Sequence, residues 1–295
     1  MTKLAINLLG YKGLKCLEAI ITNNFHTLLD ITVFIGRDPN VQNDFADEAI
    51  DRCIKYKIAF SERLSNQNYA MYDYVIAIGW RWMIKGVDEE RLIVFHDSLL
   101  PRYRGFAPLV NAALNKDKQV GVTALFGANR YDEGDIIAQS SVNVDYPISI
   151  SELIELISPC YVQLLLQVFS QLSGNKKLPR NKQNSNEATY SIWLDDDDYF
   201  IDWNESAENI SHKINLLGTP YKNAQARLKN AIVVIKSSEV YEDLKVERRH
   251  IGKVLMVEQG CPVIICGSGL IKLTSVFDES DKSLLPFDKF RVRFQ

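Results

Sequence analysis

Two side chains in this 295-residue chain stand in surroundings where they could do chemistry. His96 follows the apolar run 92–95, and a proline turn and the basic segment 102–105 come directly after it. Asp132 lies further along, in an Asp-Glu-Gly-Asp run. An imidazole can donate a hydrogen bond to a developing oxyanion, and a carboxylate whose pKa is raised by partial burial can accept a proton. Each residue alone is more typical of an ordinary loop or turn, so the surrounding pattern decides the interpretation.

Several short motifs follow one another around these two residues. They are His-Asp-Ser-Leu-Leu-Pro at 96–101, Arg-Gly at 104–105, Gly-Val-Thr at 121–123, Asp-x-Gly at 132–134 and Ile-x-Gln at 137–139. This order resembles the formyl-tetrahydrofolate-dependent formyltransferase family, whose members carry Asn-x-His-x-Ser-Leu-Leu-Pro-x-x-x-Gly and a later Asp-x-Gly. His96 and Asp132 match that pattern, whereas Val94 stands at the position of the family's asparagine.

The resemblance implies that a formyl group is transferred from formyl-tetrahydrofolate to an amine. His96 would donate to the oxyanion, and Asp132 would act as base or orient the histidine, with no metal ion required. Val94 cannot donate a hydrogen bond, and this leaves several alternatives open. Asn111 or Asn129 supplies the missing donor, the enzyme works with His96 and a main-chain group, or the chain binds folate without catalysis or with water as the acceptor.

The resemblance also implies where the folate binds. The family recognises the pterin ring largely through main-chain groups in the loop after the fourth strand, and a flat heterocycle with several donors and acceptors suits such recognition. Trp82 and Ile84 are expected to supply those contacts, whereas the residues by themselves would favour the start of a packed helix. The positions expected to bind the cofactor are Gly79, Trp80, Trp82, Met83, Ile84 and Asp132.

The charge of the chain bears on the acceptor. The formal net charge is -3, and residues 191–295 contain slightly more acidic than basic side chains. Nucleic-acid-binding proteins normally present a basic face, so tRNA is not the expected acceptor. Methionyl-tRNA stays the alternative, which a basic groove would favour.

Family members without a basic C-terminal domain often formylate a nucleotide-linked amino sugar, and this substrate is the one we expect. It would connect the chain with lipopolysaccharide biosynthesis. Its pyrophosphate would need cationic donors, and its base could stack on an aromatic ring. The residues expected to bind it are Lys12, Arg102, Arg104, Tyr221 and Lys222.

The composition, with 46% hydrophobic and 24% charged residues, is that of a soluble globular protein. The N-terminus enters a strand pattern directly and the apolar runs are shorter than a membrane span, so we expect a cytoplasmic protein without a signal peptide. Five scattered cysteines and four histidines lack the spacing of a disulfide framework or a metal site. We also expect a homodimer.

Apolar runs that alternate with helical patterns predict an α/β fold, with a doubly wound, mostly parallel, Rossmann-like sheet in a catalytic domain of residues 1–185. Such sheets place their sites at the carboxyl ends of the strands. A capping box at 149–152 begins a long helix, which Pro159 should kink or interrupt. The polar stretch 176–189 is typical of a linker, and the short strands beyond it predict a smaller β-barrel-like domain at 190–295.

Overall fold

A computed structural model describes residues 1–63 and 66–295 of the chain. These residues form two compact units, the first made of residues 1–144 and 152–193 and the second of residues 145–151 and 194–295. The sequence placed the division at 185–190, whereas the first unit here extends to Trp193.

The first unit is built on a seven-stranded sheet. Its strands are β1 (Lys3–Leu8), β2 (Asp30–Ile35), β3 (Ala59–Glu62), β4 (Tyr74–Ile78), β5 (Leu92–His96), β7 (Gln119–Phe126) and β8 (Ile136–Asn143), and a separate pair is formed by β6 (Arg104–Gly105) and β9 (Tyr190–Ser191). The helices are α1 (Gly10–Thr22), α2 (Phe25–Leu28), α3 (Ala46–Tyr56), α4 (Pro108–Leu114) and α5 (Ile150–Ser173). The order in the sheet is β3-β2-β1-β4-β5-β7-β8.

The first five strands of this order run parallel, and β7 and β8 continue the sheet antiparallel. The predicted α/β fold with a mostly parallel sheet is therefore confirmed. Strands that are covered on both faces are mainly apolar, and Ile6, Val33, Ile76 and Ile93 are all fully buried. Asn7 is the buried polar exception in β1, and it bonds to the Tyr69 hydroxyl and the carbonyl of Ile76.

The helix α5 continues without interruption past Pro159. The prediction that this proline would interrupt the helix is wrong, because the helix buries Leu153, Ile157 and Leu164 against the first unit. Such burial contributes about 1.5–3 kcal/mol per side chain, against about 3 kcal/mol lost at an interior proline. Among the described residues, α5 alone is long and apolar enough to cross a membrane, and 56% of its apolar window is buried inside the fold, as in a core helix.

The second unit is a five-stranded antiparallel sheet with one main helix. Its elements are α6 (Ala207–Leu216), β10 (Ala224–Leu228), β11 (Ala231–Tyr241), β12 (Val254–Glu258), β13 (Cys261–Ile265) and β14 (Leu270–Asp278), in the sheet order β10-β11-β14-β13-β12. The C-terminal segment bonds to both edges, since Gln295 exchanges main-chain hydrogen bonds with Arg227 and the carbonyl of Val292 accepts from Val254. This segment covers the open edges of the sheet, and the predicted small β-rich domain is confirmed.

Candidate active site

His96 is the last residue of β5, at the carboxyl end of a parallel strand. It pairs with Thr123 of β7. Val94 lies two residues earlier and therefore on the same face of the strand, where it is half-buried. The position of the family asparagine thus faces the same side as the histidine, although valine brings no hydrogen-bonding group to it.

Both ring nitrogens of His96 have neighbours. Nε2 lies 2.8 Å from the carbonyl oxygen of Tyr103, which can only accept, so Nε2 carries a proton and donates it there. Nδ1 lies 3.5 Å from Oδ1 of Asp132. The sequence assigned His96 the role of oxyanion donor, but its Nε2–H is already donated to Tyr103. The nitrogen that remains to take a proton is Nδ1, and the geometry therefore favours proton transfer over donation to an oxyanion.

Asp132 is held in an unusual backbone conformation beside His96. Its φ of 54° is in the left-handed region, which costs energy for a residue other than glycine. Its Oδ2 accepts a hydrogen bond of 2.8 Å from the N–H of Gly105, and Gln183 donates to the carbonyls of Asp132 and Gly134. A Cβ at position 134 would lie 1.9 Å from the carbonyl oxygen of Phe126, so glycine is required there. These contacts fix the carboxylate in front of the imidazole.

Arg104 forms part of the support for this loop. Its side chain is 2% exposed, donates twice to Oε1 of Gln183 and lies 3.2 Å from the Glu133 carboxylate. A buried, fully paired guanidinium stabilises the loop of Asp132 and is not available to a pyrophosphate. The structure therefore argues against the prediction that Arg104 binds the substrate, and indicates that Arg104 supports the loop of Asp132.

Lys12, Asp97 and Tyr161 form a buried cluster next to His96. The Lys12 ammonium lies 2.5 Å from Oδ2 of Asp97, and the Tyr161 hydroxyl donates to Oδ1 at 2.6 Å. Burial would raise the pKa of Asp97, but the charge of Lys12, hydrogen bonds from Lys12 and Tyr161, and the nearby His96 outweigh it and lower that pKa. Lys12 is 12% exposed and ion-paired, which argues against the predicted contact with a pyrophosphate.

Sequence reasoning missed the roles of Asp97, Tyr161 and Gln183. Asp97 directly follows His96, and that adjacency was the one signal available for it. Tyr161 and Gln183 lie far from the motifs along the chain and reach the site through α5 and the segment before β9.

The two amides considered as substitutes for the family asparagine differ in their hydrogen bonds. Asn111 donates to the carbonyls of Ala107 and Ile192, whereas Asn129 makes no hydrogen bond to any residue within 1–63 or 66–295.

The loop after β4 contains the residues expected to bind the cofactor. It is irregular from residue 80 to 91, so no helix begins at Trp82. Gly79 has a φ of 62°, and a Cβ there would lie 2.5 Å from the carbonyl oxygen of Leu9. The Trp80 and Trp82 rings meet edge to face at 4.9 Å, over Gly36.

A cleft of about 480 Å³ opens beside this loop, lined by Trp80, Trp82, Met83 and Ile84 together with Arg63, Asn66, Gln67, Tyr69 and Lys85. The main-chain groups of residues 80–85 make no hydrogen bond to the described part of the chain. Trp82 and Ile84 thus have free main-chain groups at a cleft with aromatic walls, an arrangement that suits a flat heterocycle.

The remaining residues expected to bind the substrate belong to both units. Arg102 is exposed and pairs with Asp117 and the Tyr103 hydroxyl. Tyr221 and Lys222 belong to the second unit, and Lys222 pairs there with Asp196 at 2.5 Å. Within the described ranges, no group of three or more His, Cys, Asp or Glu side chains could hold a metal ion.

Two family models match the chain. The model described as "Formyl transferase" matches residues 65–168, and the model described as "Formyl transferase, C-terminal domain" matches residues 194–290. A methionyl-tRNA formyltransferase of Syntrophomonas wolfei is 32% identical over 199 residues, which are 68% of this chain and 62% of that protein. The match therefore spans less than two thirds of that relative's length.

Solved structures share the fold. The N-formyltransferase from Helicobacter canadensis, in complex with folinic acid and dTDP-3-aminofucose, superposes with a TM-score of 0.65 at 16% identity and covers 92% of this chain and 99% of its own. The methionyl-tRNA formyltransferase from Clostridium thermocellum gives 0.58 at 17% identity and covers 82% and 94%.

The expectation of a nucleotide-linked amino sugar as the acceptor is wrong. Further bacterial relatives at 28–38% identity are also methionyl-tRNA formyltransferases, whereas the sugar formyltransferase structures share only 16–18% of their residues with this chain. The exclusion of nucleic acid rested on average charge, which does not describe a local surface. Two of the cations expected to bind the pyrophosphate are paired with carboxylates, with Arg104 buried and Lys12 largely buried.

Proposed function

This chain belongs to the formyl transferase family, and we propose that it transfers the formyl group of formyl-tetrahydrofolate to the amino group of methionyl-tRNA. The observation that carries the proposal is the pair formed by His96 and Asp132 at the end of β5. Formyl transfer requires the attacking amine to lose a proton, and this pair offers a carboxylate and a free ring nitrogen to receive it.

The direction of proton transfer follows from the hydrogen bonds. Because Nε2 of His96 donates to Tyr103, a second proton on the ring enters at Nδ1, which faces Asp132. The carboxylate stabilises the imidazolium that results, and Gly105 donates to the other carboxylate oxygen throughout. The base is thus prepared before the acceptor arrives, and little reorganisation is needed during the reaction.

The cofactor in this proposal lies in the cleft beside residues 79–86. The free main-chain groups of Trp82 and Ile84 would read the polar edge of the pterin, and the tryptophan rings would cover its faces. Structural neighbours solved with folinic acid or tetrahydrofolic acid support this choice of cofactor.

The acceptor is proposed from the relatives, which are methionyl-tRNA formyltransferases and share about a third of their aligned residues with this chain. With a net charge of -3, binding would depend on local cations and not on the charge of the whole chain. This function implies a cytoplasmic location. The homodimer expected from the sequence remains a prediction.

The experiment compares acceptors at saturating formyl-tetrahydrofolate. Purified protein is incubated with methionyl-tRNA, with uncharged tRNA or with free methionine, and formylmethionine is measured by mass spectrometry after mild hydrolysis. We expect product from methionyl-tRNA and about a 10²- to 10⁴-fold lower rate for Asp132→Asn. Asp288→Asn, at an exposed site of the second unit, is the control. Unchanged activity in Asp132→Asn would refute the role assigned to Asp132, which is to stabilise the protonated His96 ring.

A second candidate is a folate-binding protein that does not transfer the formyl group to an amine. Val94 favours it, because the family's asparagine would supply an oxyanion donor whose loss typically costs about 10²–10³ in rate. Binding of formyl-tetrahydrofolate without transfer to any of the three acceptors, or release of formate alone, would select this candidate.

A further inference from the structure

Large apolar side chains form an exposed patch on the first unit. The aromatic patch consists of Phe106, Tyr131, Tyr190, Ile192 and Trp193, which are 38–69% exposed. The Phe106 ring lies 5.2 Å from that of Tyr131 and 5.7 Å from that of Trp193, so these three rings are contiguous. Single exposed apolar residues are common, but a contiguous aromatic group in contact with water marks a binding surface.

The aromatic patch is continuous with the candidate active site. Tyr131 directly precedes Asp132, and Phe106 directly follows Gly105, whose N–H donates to the Asp132 carboxylate. The N–H of Phe106 donates to the carbonyl of Ser191 at 3.0 Å, which connects it with the strand before Trp193. These contacts place the aromatic patch next to the loop of Asp132, so an acceptor whose amine reacts there can also contact these rings.

An exposed arginine adjoins this patch along the chain. Arg130 precedes Tyr131, is exposed and makes no ion pair with any residue of the described ranges. Several other arginines of the first unit are paired with carboxylates, among them Arg37, Arg52 and Arg104. An unpaired, exposed arginine directly before Tyr131 in the chain suits a ligand that is both aromatic and anionic, as a nucleotide is.

We propose that the aromatic patch binds the 3′-terminal nucleotide of the acceptor, with its base stacked on Trp193 and its phosphate near Arg130. The proposal rests on the proposed function, which supplies an acceptor that ends in an aminoacylated adenosine. The methionine side chain branches from the carbon that carries the amine, whereas the base is separated from the amine by the ester and the ribose. The Trp193 ring contacts the Phe106 ring, which contacts the Tyr131 ring, so Trp193 is separated from the residue before Asp132 by two ring contacts, and this position suits the base.

Binding is tested without catalysis by fluorescence polarisation of a fluorescein-labelled CCA trinucleotide. We expect Trp193→Ala to weaken binding about 5- to 100-fold, the loss of one stacked base, and Trp193→Phe to retain most of the affinity. Arg130→Gln should weaken binding and reduce its salt dependence. Phe290→Ala, which removes an exposed ring of the second unit, should bind like the wild type. Equal affinity of the wild type and Trp193→Ala would overturn the proposal.

Kinetics then separate the base from the amino acid. Trp193→Ala should raise KM for methionyl-tRNA by the same factor by which it weakens binding of the CCA trinucleotide, and leave kcat unchanged. It should not alter turnover of methionine methyl ester, which has no nucleoside. Equal losses on both acceptors would assign the patch to the methionine side chain and overturn the proposal. If CCA binding depends on Trp193 while the wild type transfers no formyl group, the proposed function fails and the nucleotide site stands.

Discussion

Replacing Asp97 by asparagine should destabilise the first unit by about 3 kcal/mol at pH 7, because it removes the carboxylate that pairs with the largely buried Lys12 ammonium. Lys12 and Asp97 are 12% and 17% exposed, and their charged atoms lie 2.5 Å apart. Removing one partner of such a pair typically costs about 3–5 kcal/mol, and the remaining exposure places this site at the lower end. The double variant Lys12→Met with Asp97→Asn removes both charges and should recover most of the loss.

The difference in the free energy of unfolding between the wild type and Asp97→Asn should decrease at acidic pH. The pKa of Asp97 is lowered in the folded protein, although burial opposes the charges and hydrogen bonds of Lys12 and Tyr161 that lower it. A carboxylate with a lowered folded pKa contributes its full stability above its unfolded pKa of about 4, and loses it as the pH falls toward the folded value. The gap measured at pH 7 should therefore persist to about pH 4 and close below it.

The assay is urea unfolding, monitored by hydrogen exchange in peptides from β1, α1 and β5. These peptides all belong to the first unit, so unfolding of the second unit does not contribute to the measured free energy. The matched control is Asp47→Asn, which breaks an ion pair of 2.6 Å with Arg37 at an exposed site and should change stability little. Equal effects of the two variants at pH 7, or a double variant as unstable as Asp97→Asn, would refute the reasoning.

Three further predictions concern the site. His96→Asn should lower turnover at least about 100-fold while the Kd for folate changes little, since the ring acts as the proton moves; single-turnover kinetics and folate titration check this. Val94→Asn should raise the single-turnover rate if an oxyanion donor is missing, and a tenfold fall would point to a rebuilt oxyanion site. Gly79→Ala should weaken folate binding more than Gly86→Ala, because both have positive φ but only a Cβ at 79 meets a carbonyl oxygen, that of Leu9, at 2.5 Å. Equal folate affinities of these two variants would indicate that the loop after β4 does not bind the cofactor.

The sequence alone determined the family, the parallel part of the sheet and the position of His96 at the end of a strand. These features depend on residues that are close together along the chain, namely apolar runs such as 74–78 and the motif at 96–101. Main-chain hydrogen bonding and burial act locally on such runs, so their pattern predicts strands and the turns between them. The direction of β7 and the continuation of α5 past Pro159 were not accessible in this way, because both depend on packing against distant elements.

Only the tertiary structure decided what the charged residues do. From the sequence, Lys12 and Arg104 were expected to be free cations suited to a pyrophosphate, whereas in the fold they pair with Asp97 and Glu133 and are 12% and 2% exposed. The same holds for His96, whose Nε2 is engaged by the Tyr103 carbonyl. The charge state and hydrogen bonds of a polar side chain depend on partners that folding brings within about 3 Å, and no local pattern records those partners.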